Sequence, residues 1–156
     1  MKILALDVAT HLGWAYSEKG ETVNESGIWD FTVKKDESTG LRLLRLKQKL
    51  EKIRADKGVD LIVFENTVHQ IGARGGAHVQ AEMQGVVKLF CEEHKIEFKG
   101  FFPPEIKKHA TGKGNAKKEQ MVDAAVAKWK KAFDYNQHDE VDARWILDLA
   151  IHRLTI

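Results

Sequence analysis

The sequence has little of what marks secreted, membrane-spanning or disordered proteins. Its single cysteine, Cys91, excludes an intramolecular disulfide and a zinc site with several cysteine ligands, and it suits a reducing cytoplasm. No apolar run approaches the roughly 20 residues of a membrane span, and there is no signal-peptide pattern at the amino terminus. Hydrophobic residues make up 43% of the chain, which is typical of a folded globular protein. We therefore expect a single cytoplasmic domain over residues 1–156.

The chain also has almost no net charge, but its charges are unevenly distributed. The formal net charge is +2, which by itself indicates no class of partner. Residues 105–118 nevertheless contain five lysines and one acid, so this segment has a local charge of +4. A basic concentration of this kind can hold a phosphate backbone. The five lysines are Lys107, Lys108, Lys113, Lys117 and Lys118.

Two apolar runs in the chain each end in a carboxylate. Ile3–Leu6 leads directly into Asp7, and Val59–Phe64 leads into Glu65. Both runs predict buried strands. Taken alone, Asp7 fits two interpretations: an ordinary turn-forming residue, or a functional carboxylate delivered to the edge of a sheet. A second apolar run ends in a carboxylate at Glu65, and this recurrence favours a functional role for Asp7.

The hydrophobic patterns predict an α/β fold in which helices cover a mixed sheet. Three strands joined by tight turns form an antiparallel meander at the start. A helix then crosses over to a strand that is parallel to the first. Leu43, Leu46, Leu50 and Ile53 mark the buried face of this helix. After the first strand, the predicted strands are 12–17, 22–33, 59–64 and 96–102; the main helices are 38–56, 77–94, 117–131 and 140–154, with a short helix after Pro104.

A second pair of acids opens the last predicted helix. Asp139 and Asp142 lie three residues apart, so their side chains can share one helix face. They also fit the simpler role of helix-start acids stabilised by the helix dipole. Four acids brought together would repel one another unless they take up protons or bind a cation. Oxygen ligands suit Mg²⁺ or Mn²⁺, and two such ions about 3.5–4 Å apart can clamp a phosphodiester during its displacement.

Four motifs, in order, resemble the RuvC-like Holliday junction resolvases of the RNase H superfamily, and in particular their small phage-type members. The first is Leu-Ala-Leu-Asp-x-Ala-x-x-x-Gly-Trp-Ala at 4–15, and the second is Val-Phe-Glu at 63–65. The third is Pro-x-x-x-Lys-x-x-x-x-Gly-x-Gly-x-Ala-x-Lys-x-Gln-Met at 103–121, and the fourth is Asp-x-x-Asp-Ala at 139–143. The resemblance covers nearly the whole chain.

The resemblance implies a crossover junction endodeoxyribonuclease with one RuvC-type domain over residues 1–156. Its fold would be an RNase H-like mixed five-stranded sheet flanked by helices. The family pattern implies a homodimer that nicks two opposing strands of a four-way junction, in the host cytoplasm if the protein is phage-encoded. Carried over by position, the ligands of two Mg²⁺ ions, which Mn²⁺ would replace, are Asp7, Glu65, Asp139 and Asp142. The two functional lysines are Lys107 and Lys118.

The sequence departs from the family pattern after the second acid. Members of the family commonly have an aromatic residue there that stacks on a base, whereas this chain reads Glu-Asn-Thr-Val-His at 65–69. This departure favours a broader activity on branched DNA over sequence-specific cutting. The following glycine-containing stretch includes Arg74, which we expect to contact phosphates. The remaining expected DNA contacts are the five lysines of residues 105–118.

Three other functions are open to the same residues. An RNase H-fold nuclease acting on RNA or RNA–DNA hybrids would use the same acids. A protein that only binds branched DNA is expected to lack part of the acid set, and this chain has all four. Asp7 followed by small residues and Thr10 also resembles the phosphate loop of sugar kinases and actin-like ATPases. Those proteins need a second nucleotide-binding domain, for which 156 residues leave no room.

Further predictions concern the histidines and one apolar stripe. His138 is expected to be a helix-start residue, with an approach to the metal site as the alternative. His11 and His109 are expected to face solvent or DNA. An apolar stripe on the 77–94 helix is expected to belong to the core, with a contribution to the dimer interface as the alternative; its residues are Val79, Met83, Val86, Val87 and Phe90.

Overall fold

The computed structural model describes residues 1–66 and 76–154, and within them five strands form one mixed sheet. The strands are β1 (Ile3–Asp7), β2 (His11–Ser17), β3 (Glu25–Asp30), β4 (Leu61–Glu65) and β5 (Glu97–Phe101). Their order in the sheet is β3-β2-β1-β4-β5. Strands β1, β2 and β3 are antiparallel neighbours, whereas β4 is parallel to β1 and to β5. The predicted meander and the predicted parallel crossover are both confirmed.

Five α-helices accompany the sheet in the described residues. They are α1 (Gly40–Lys57), α2 (Gly76–His94), α3 (Pro103–Thr111), α4 (Lys118–Trp129) and α5 (His138–Leu154), with a short 3₁₀ turn at Tyr135–Gln137. The predicted α/β fold is therefore confirmed, although the strand predicted at 22–33 is reduced to β3. Among the described helices, none has the length and apolarity needed to cross a bilayer.

The central strand β1 separates two hydrophobic cores. Successive side chains of a strand point to opposite faces, so Ile3 and Ala5 pack into one core and Leu4 and Leu6 into the other. Helices α3, α4 and α5 cover the first face, whereas α1 and α2 cover the second. Burial on both faces explains why β1 and β4 are almost continuously apolar until their final carboxylates.

The apolar stripe of α2 lies inside the second core. Met83, Val87 and Phe90 are fully buried, and Val79 and Val86 pack against the same cluster. Helix α1 contributes Leu46, Leu50 and Ile53 to this core, as predicted, with Leu43 at its edge. The stripe of α2 therefore belongs mainly to the core, as predicted, and a contribution of its half-buried residues Val79 and Val86 to a dimer interface stays a prediction.

Candidate functional site

The four predicted acids converge at one edge of the sheet. Asp7 ends β1 and Glu65 ends β4, and because these strands are parallel neighbours their carboxyl ends meet at the same edge. Helix α5 begins beside them and carries Asp139 and Asp142 in its first turns. Burial raises the pKa of Asp7 well above its usual value, and the negative charges of the three other acids raise it further.

The pKa values of Asp142 and Glu65, two of the acids near Asp7, are also raised. Burial raises the pKa of Asp142 to about 7, and the negative charges of Glu65 and Asp139 contribute to this rise. Burial likewise raises the pKa of Glu65, while the positive charge of Lys107 opposes it. A set of carboxylates held together at this cost in repulsion has the chemistry of a divalent cation site.

A glycine on β2 permits helix α5 to approach the sheet. Gly13 pairs with Asp7 in the β1–β2 register. A methyl group built on Gly13 would collide with the main-chain carbonyl oxygen and carbon of Asp139, and it would also lie too close to the main-chain nitrogen of Glu140. The absence of a side chain at this position therefore brings the start of α5 against β2, next to Asp7.

Two of the four acids line a cleft together with three of the predicted lysines. The cleft has a volume of about 600 Å³, and its lining includes Glu65 and Asp142 as well as Lys107, Lys117 and Lys118. The positive charges of Lys118 and Lys107 act on the Asp142 carboxylate and oppose the rise in its pKa. Helices α3 and α4 thus bring cationic side chains into the same space as the acids, although the lysines are distant from the acids in sequence.

The other predicted DNA contacts are placed less centrally. Lys108 and Lys113 are exposed and are not among the described residues that line the cleft. Arg74 lies outside the described residues, as do residues 67–69 of the stretch in which the family aromatic is missing. The role of these residues in DNA binding stays a prediction.

The prediction for His109 is wrong, whereas His11 is exposed as expected. The His109 side chain is only 17% exposed, and its Nε2 lies 2.7 Å from Oδ2 of Asp148. Lys128 donates to the same oxygen at 2.9 Å. Burial raises the pKa of Asp148, but the hydrogen bonds with His109 and Lys128 outweigh this effect and hold the pKa below its usual value. His109 therefore joins α3 to α5 inside the protein.

His138 is the first residue of α5, in agreement with its predicted place at the helix start. It nevertheless lies beside the acids. Its Nδ1 atom is 3.3 Å from Oδ1 of Asp139, and this buried nitrogen has no hydrogen-bond partner among the described residues. One potential ligand atom from each of His138, Asp139 and Asp142 lies within 4.8 Å of the other two.

A buried polar network that joins Glu140 and Arg144 of α5 to the sheet was not predicted from the sequence. Glu140 and Arg144 are both at least nine-tenths buried. The hydroxyl of Ser26 donates to Glu140 Oε2 at 2.5 Å and accepts from Nε of Arg144 at 2.7 Å. The four-residue spacing of Glu140 and Arg144 permits an ion pair on an exposed helix face. Only the packing of α5 on β3 brings Ser26 between them.

The raised pKa values predict an unusual pH dependence of stability. Asp142 has an ordinary pKa of 3.8 and a folded pKa of about 7. Between these values the folded protein binds more protons than the unfolded chain, so the contribution of Asp142 to stability is lost as the pH rises from about 4 to about 7. In chelator-treated protein, we expect Asp142→Asn to raise the melting temperature more at pH 8 than at pH 5.

Divalent metal should act in the opposite direction. Because deprotonated carboxylates are the ligands, Mg²⁺ should stabilise the wild type more at pH 8 than at pH 5. Thermal unfolding followed by circular dichroism, with and without Mg²⁺, measures both effects. An Asp142→Asn variant whose stability relative to wild type is the same at both pH values would contradict the prediction.

Comparison with known proteins gives a consistent result. Residues 15–151 match the family model of crossover junction endodeoxyribonuclease RuvC. No curated protein sequence matches the chain. Thermus thermophilus RuvC is similar in structure, with 17% identity and a TM-score of 0.78 over 99% of this chain and 96% of that one. The same protein in complex with a Holliday junction substrate gives 16% identity and a TM-score of 0.75, covering 96% and 92% of the two chains.

A mitochondrial protein is also similar in structure, at a lower TM-score. The yeast mitochondrial Holliday junction resolvase Ydc2 is 13% identical, with a TM-score of 0.63 over 96% of this chain and 77% of that one. At such low identities the structural similarities establish the fold, including the five-stranded mixed sheet predicted from the sequence. The family model, which spans most of the chain, carries the relationship itself.

Proposed function

Because the chain belongs to the RuvC family of crossover junction endodeoxyribonucleases, we propose that it resolves four-way DNA junctions by paired, metal-dependent nicks. The observation that supports this most directly is the cleft whose lining contains both carboxylates and lysines. The carboxylates suit divalent cations, and the lysines suit phosphate oxygens. The site therefore fits a phosphodiester held between metal ions and cationic side chains.

The proposed ligands of two Mg²⁺ ions, or of Mn²⁺ in their place, are Asp7, Glu65, Asp139 and Asp142. The donor set fits such ions because it is rich in oxygen, crowded and largely removed from water. Bound ions of this type polarise a phosphate and lower the pKa of a coordinated water. The protein holds its carboxylates rigidly for this task, since two of them end buried strands and two open a helix packed on the sheet.

Lys107 and Lys118 are proposed to act on the phosphate. Both side chains reach the cleft from helices α3 and α4. From there each can neutralise negative charge that grows on the phosphate oxygens as the bond breaks. Lys117 lines the same cleft and is proposed to hold the DNA backbone next to the scissile position. Lys108 and Lys113 are proposed to bind the backbone outside the cleft, and Arg74 is proposed as a further phosphate contact.

The proposal extends to the assembly and to the range of substrates. Two opposed strands of a junction can be cut together by two copies of the site, which favours a homodimer. The missing aromatic after Glu65 favours activity on other branched DNA beside four-way junctions. We also include in the proposal a place among the small phage-type members of the family and an action in the cytoplasm.

A substrate panel tests the function. Four-way, three-way and flap DNA and an RNA–DNA hybrid, each labelled on every strand, would be incubated with the protein and Mg²⁺. We expect symmetric, ligatable nicks on the four-way junction, slower cutting of the other branched DNA, and no cutting with chelator. A cruciform plasmid should be linearised in one binding event if both strands are cut by a dimer. Preferential cutting of the hybrid would instead support the RNase H-type function.

Lys118→Ala tests the basic side of the cleft. We expect single-turnover cleavage of a four-way junction to slow by about 10²-fold, because a charge aimed at the developing negative charge is lost. The melting temperature should stay close to that of the wild type, since the Lys118 side chain is exposed.

Lys113→Ala is the matched control for Lys118→Ala. Lys113 belongs to the same basic segment and is also exposed, but it is not among the described residues lining the cleft. We expect its cleavage rate to stay within about threefold of the wild type, with a small loss in DNA affinity at low salt. A wild-type cleavage rate for Lys118→Ala, together with a changed melting temperature, would assign Lys118 to the fold instead of the reaction.

A further inference from the structure

We infer that His138 supplies a nitrogen ligand to a metal ion held by Asp139 and Asp142, and thereby makes the site favour Mn²⁺ over Mg²⁺. The inference rests on the proposed metal site and adds a residue outside the four-acid pattern. It also names a property, the choice of ion, that four carboxylates alone leave open.

The first observation is the placement of the imidazole nitrogen Nδ1. This atom is buried and makes no hydrogen bond to a described residue. A buried polar atom without a partner costs free energy, so such atoms usually have a ligand, an ion or a water beside them. His138 begins helix α5, and its neighbour Asp139 is one of the four acids.

The second observation is the geometry between His138 and Asp139. Nδ1 lies 3.3 Å from Asp139 Oδ1, but the pair does not meet the angular requirements of a hydrogen bond. An unprotonated nitrogen and a carboxylate oxygen at this distance would present lone pairs to each other. A shared cation would convert that contact into an attraction. Two adjacent ligands of an octahedral ion with bonds of 2.0–2.2 Å lie about 3 Å apart, which is close to the observed separation.

The third observation is that Asp142 completes the group. Ligand atoms of His138, Asp139 and Asp142 all lie within 4.8 Å of one another. The spacing follows from helix geometry. Asp142 is four residues after His138 and three residues after Asp139, and both separations place side chains on the same helix face. These three side chains can therefore approach one ion from one side, with Asp7 adjacent to it.

A nitrogen ligand changes which ion the site prefers. Mg²⁺ takes oxygen ligands almost exclusively and gives up its waters reluctantly. Mn²⁺ also favours oxygen ligands, but as a first-row transition ion it accepts an imidazole nitrogen more readily than Mg²⁺ does. We therefore expect the wild-type protein to bind Mn²⁺ more tightly than Mg²⁺ by at least about tenfold, with His138 responsible for most of the difference.

The experiment measures metal binding by the full-length protein without DNA. Calorimetric titrations with MnCl₂ and MgCl₂ would be made on the wild type, His138→Asn and His152→Ala. Asparagine is chosen because it is well tolerated at helix starts. His152 is the matched control, because it lies on the same helix about 21 Å farther along its axis. Circular dichroism would establish that each variant is folded.

The expected result for His138→Asn is a loss of affinity for Mn²⁺ that is much larger than the loss for Mg²⁺. His138→Asn should weaken Mn²⁺ binding by about 10-fold or more and Mg²⁺ binding by less than about threefold, whereas His152→Ala should leave both unchanged. Electron spin-echo spectra of the Mn²⁺-loaded wild type should contain a modulation from a coordinated nitrogen, which changes when the histidines are labelled with ¹⁵N and disappears in His138→Asn.

Two results would overturn the inference, and they differ in what else they affect. Tight Mn²⁺ binding without a nitrogen modulation in the wild type would exclude His138 as a ligand, while the four-acid site and the proposed nuclease function would stand. Failure of the wild type to bind either ion at millimolar concentration would overturn the inference and the proposed metal site together.

Discussion

Asp7→Asn is expected to abolish cleavage of four-way junctions while making the metal-free protein more stable. The substitution replaces a carboxylate by an amide of nearly the same shape, and it removes one of the four proposed metal ligands. We expect the single-turnover rate to fall by at least about 10³-fold, which corresponds to about 4 kcal/mol in the activation free energy. Junction binding should persist or strengthen, because one negative charge facing the DNA is lost.

The gain in stability has its own physical cause. Burial and three neighbouring acids raise the pKa of Asp7 well above its usual value, so the ionised form is disfavoured in the folded protein. An uncharged amide avoids this repulsion, and the melting temperature measured with chelator at pH 8 should rise. A merely structural aspartate would behave in the opposite way, since its replacement usually destabilises the fold.

Three measurements test Asp7→Asn: single-turnover cleavage, gel-shift binding in the presence of Ca²⁺, and thermal unfolding with chelator. Asp36→Asn is the control for the loss of one negative charge, because Asp36 is exposed, and it should behave as the wild type in all three. Cleavage by Asp7→Asn at the wild-type rate would remove Asp7 from the metal site.

Gly13→Ala is expected to have the second largest effect, although glycine itself has no chemistry. The added methyl group would collide with the main-chain oxygen of Asp139, so the start of helix α5 must move away from β2. A shift of about 1 Å in positioned catalytic groups costs about 10²-fold in rate. Overpacking should also lower the free energy of unfolding by about 1–3 kcal/mol.

Gly85→Ala is the matched control for Gly13→Ala. Gly85 lies within α2 and is exposed, and a methyl group built on it would meet nothing within 4 Å. Here alanine should stabilise the helix by about 0.5–1 kcal/mol and leave cleavage unchanged. Denaturant unfolding and single-turnover kinetics of both variants measure the contrast. If Gly13→Ala were as active and as stable as the wild type, the close approach at Gly13 would not position the acids.

Much of the fold can be read from local patterns in the sequence. The apolar runs before Asp7 and Glu65 predict two buried strands, and the helix before the second run predicts a crossover that makes this strand parallel to the first. Parallel neighbouring strands end at the same edge, so the proximity of these two carboxylates follows from the order of elements alone. The three-residue spacing of Asp139 and Asp142 likewise follows from helix geometry.

Other features depend on contacts between distant parts of the chain. His109 was expected to face solvent or DNA, but α5 brings Asp148 to it, and the two side chains are largely shielded from solvent where α3 meets α5. The stripe of α2 was open to a place in the core or at a dimer interface, and packing against α1 buries Met83, Val87 and Phe90 in the core. Histidine occurs both at the surface and in the interior, and apolar residues occur both in cores and in subunit interfaces, so the neighbouring elements decide the environment of each side chain.

The sequence by itself determined the class of fold, the two strands that carry Asp7 and Glu65, the acidic pair of the last helix and the basic segment before it. These features arise from periodicity and local spacing, which act over a few residues. The tertiary structure alone decided that α5 lies against Gly13 and that the unpartnered nitrogen of His138 faces Asp139. Close packing depends on the shapes of both surfaces that meet. Local sequence patterns therefore cannot predict that Asp139, 126 positions after Gly13, will lie against this glycine.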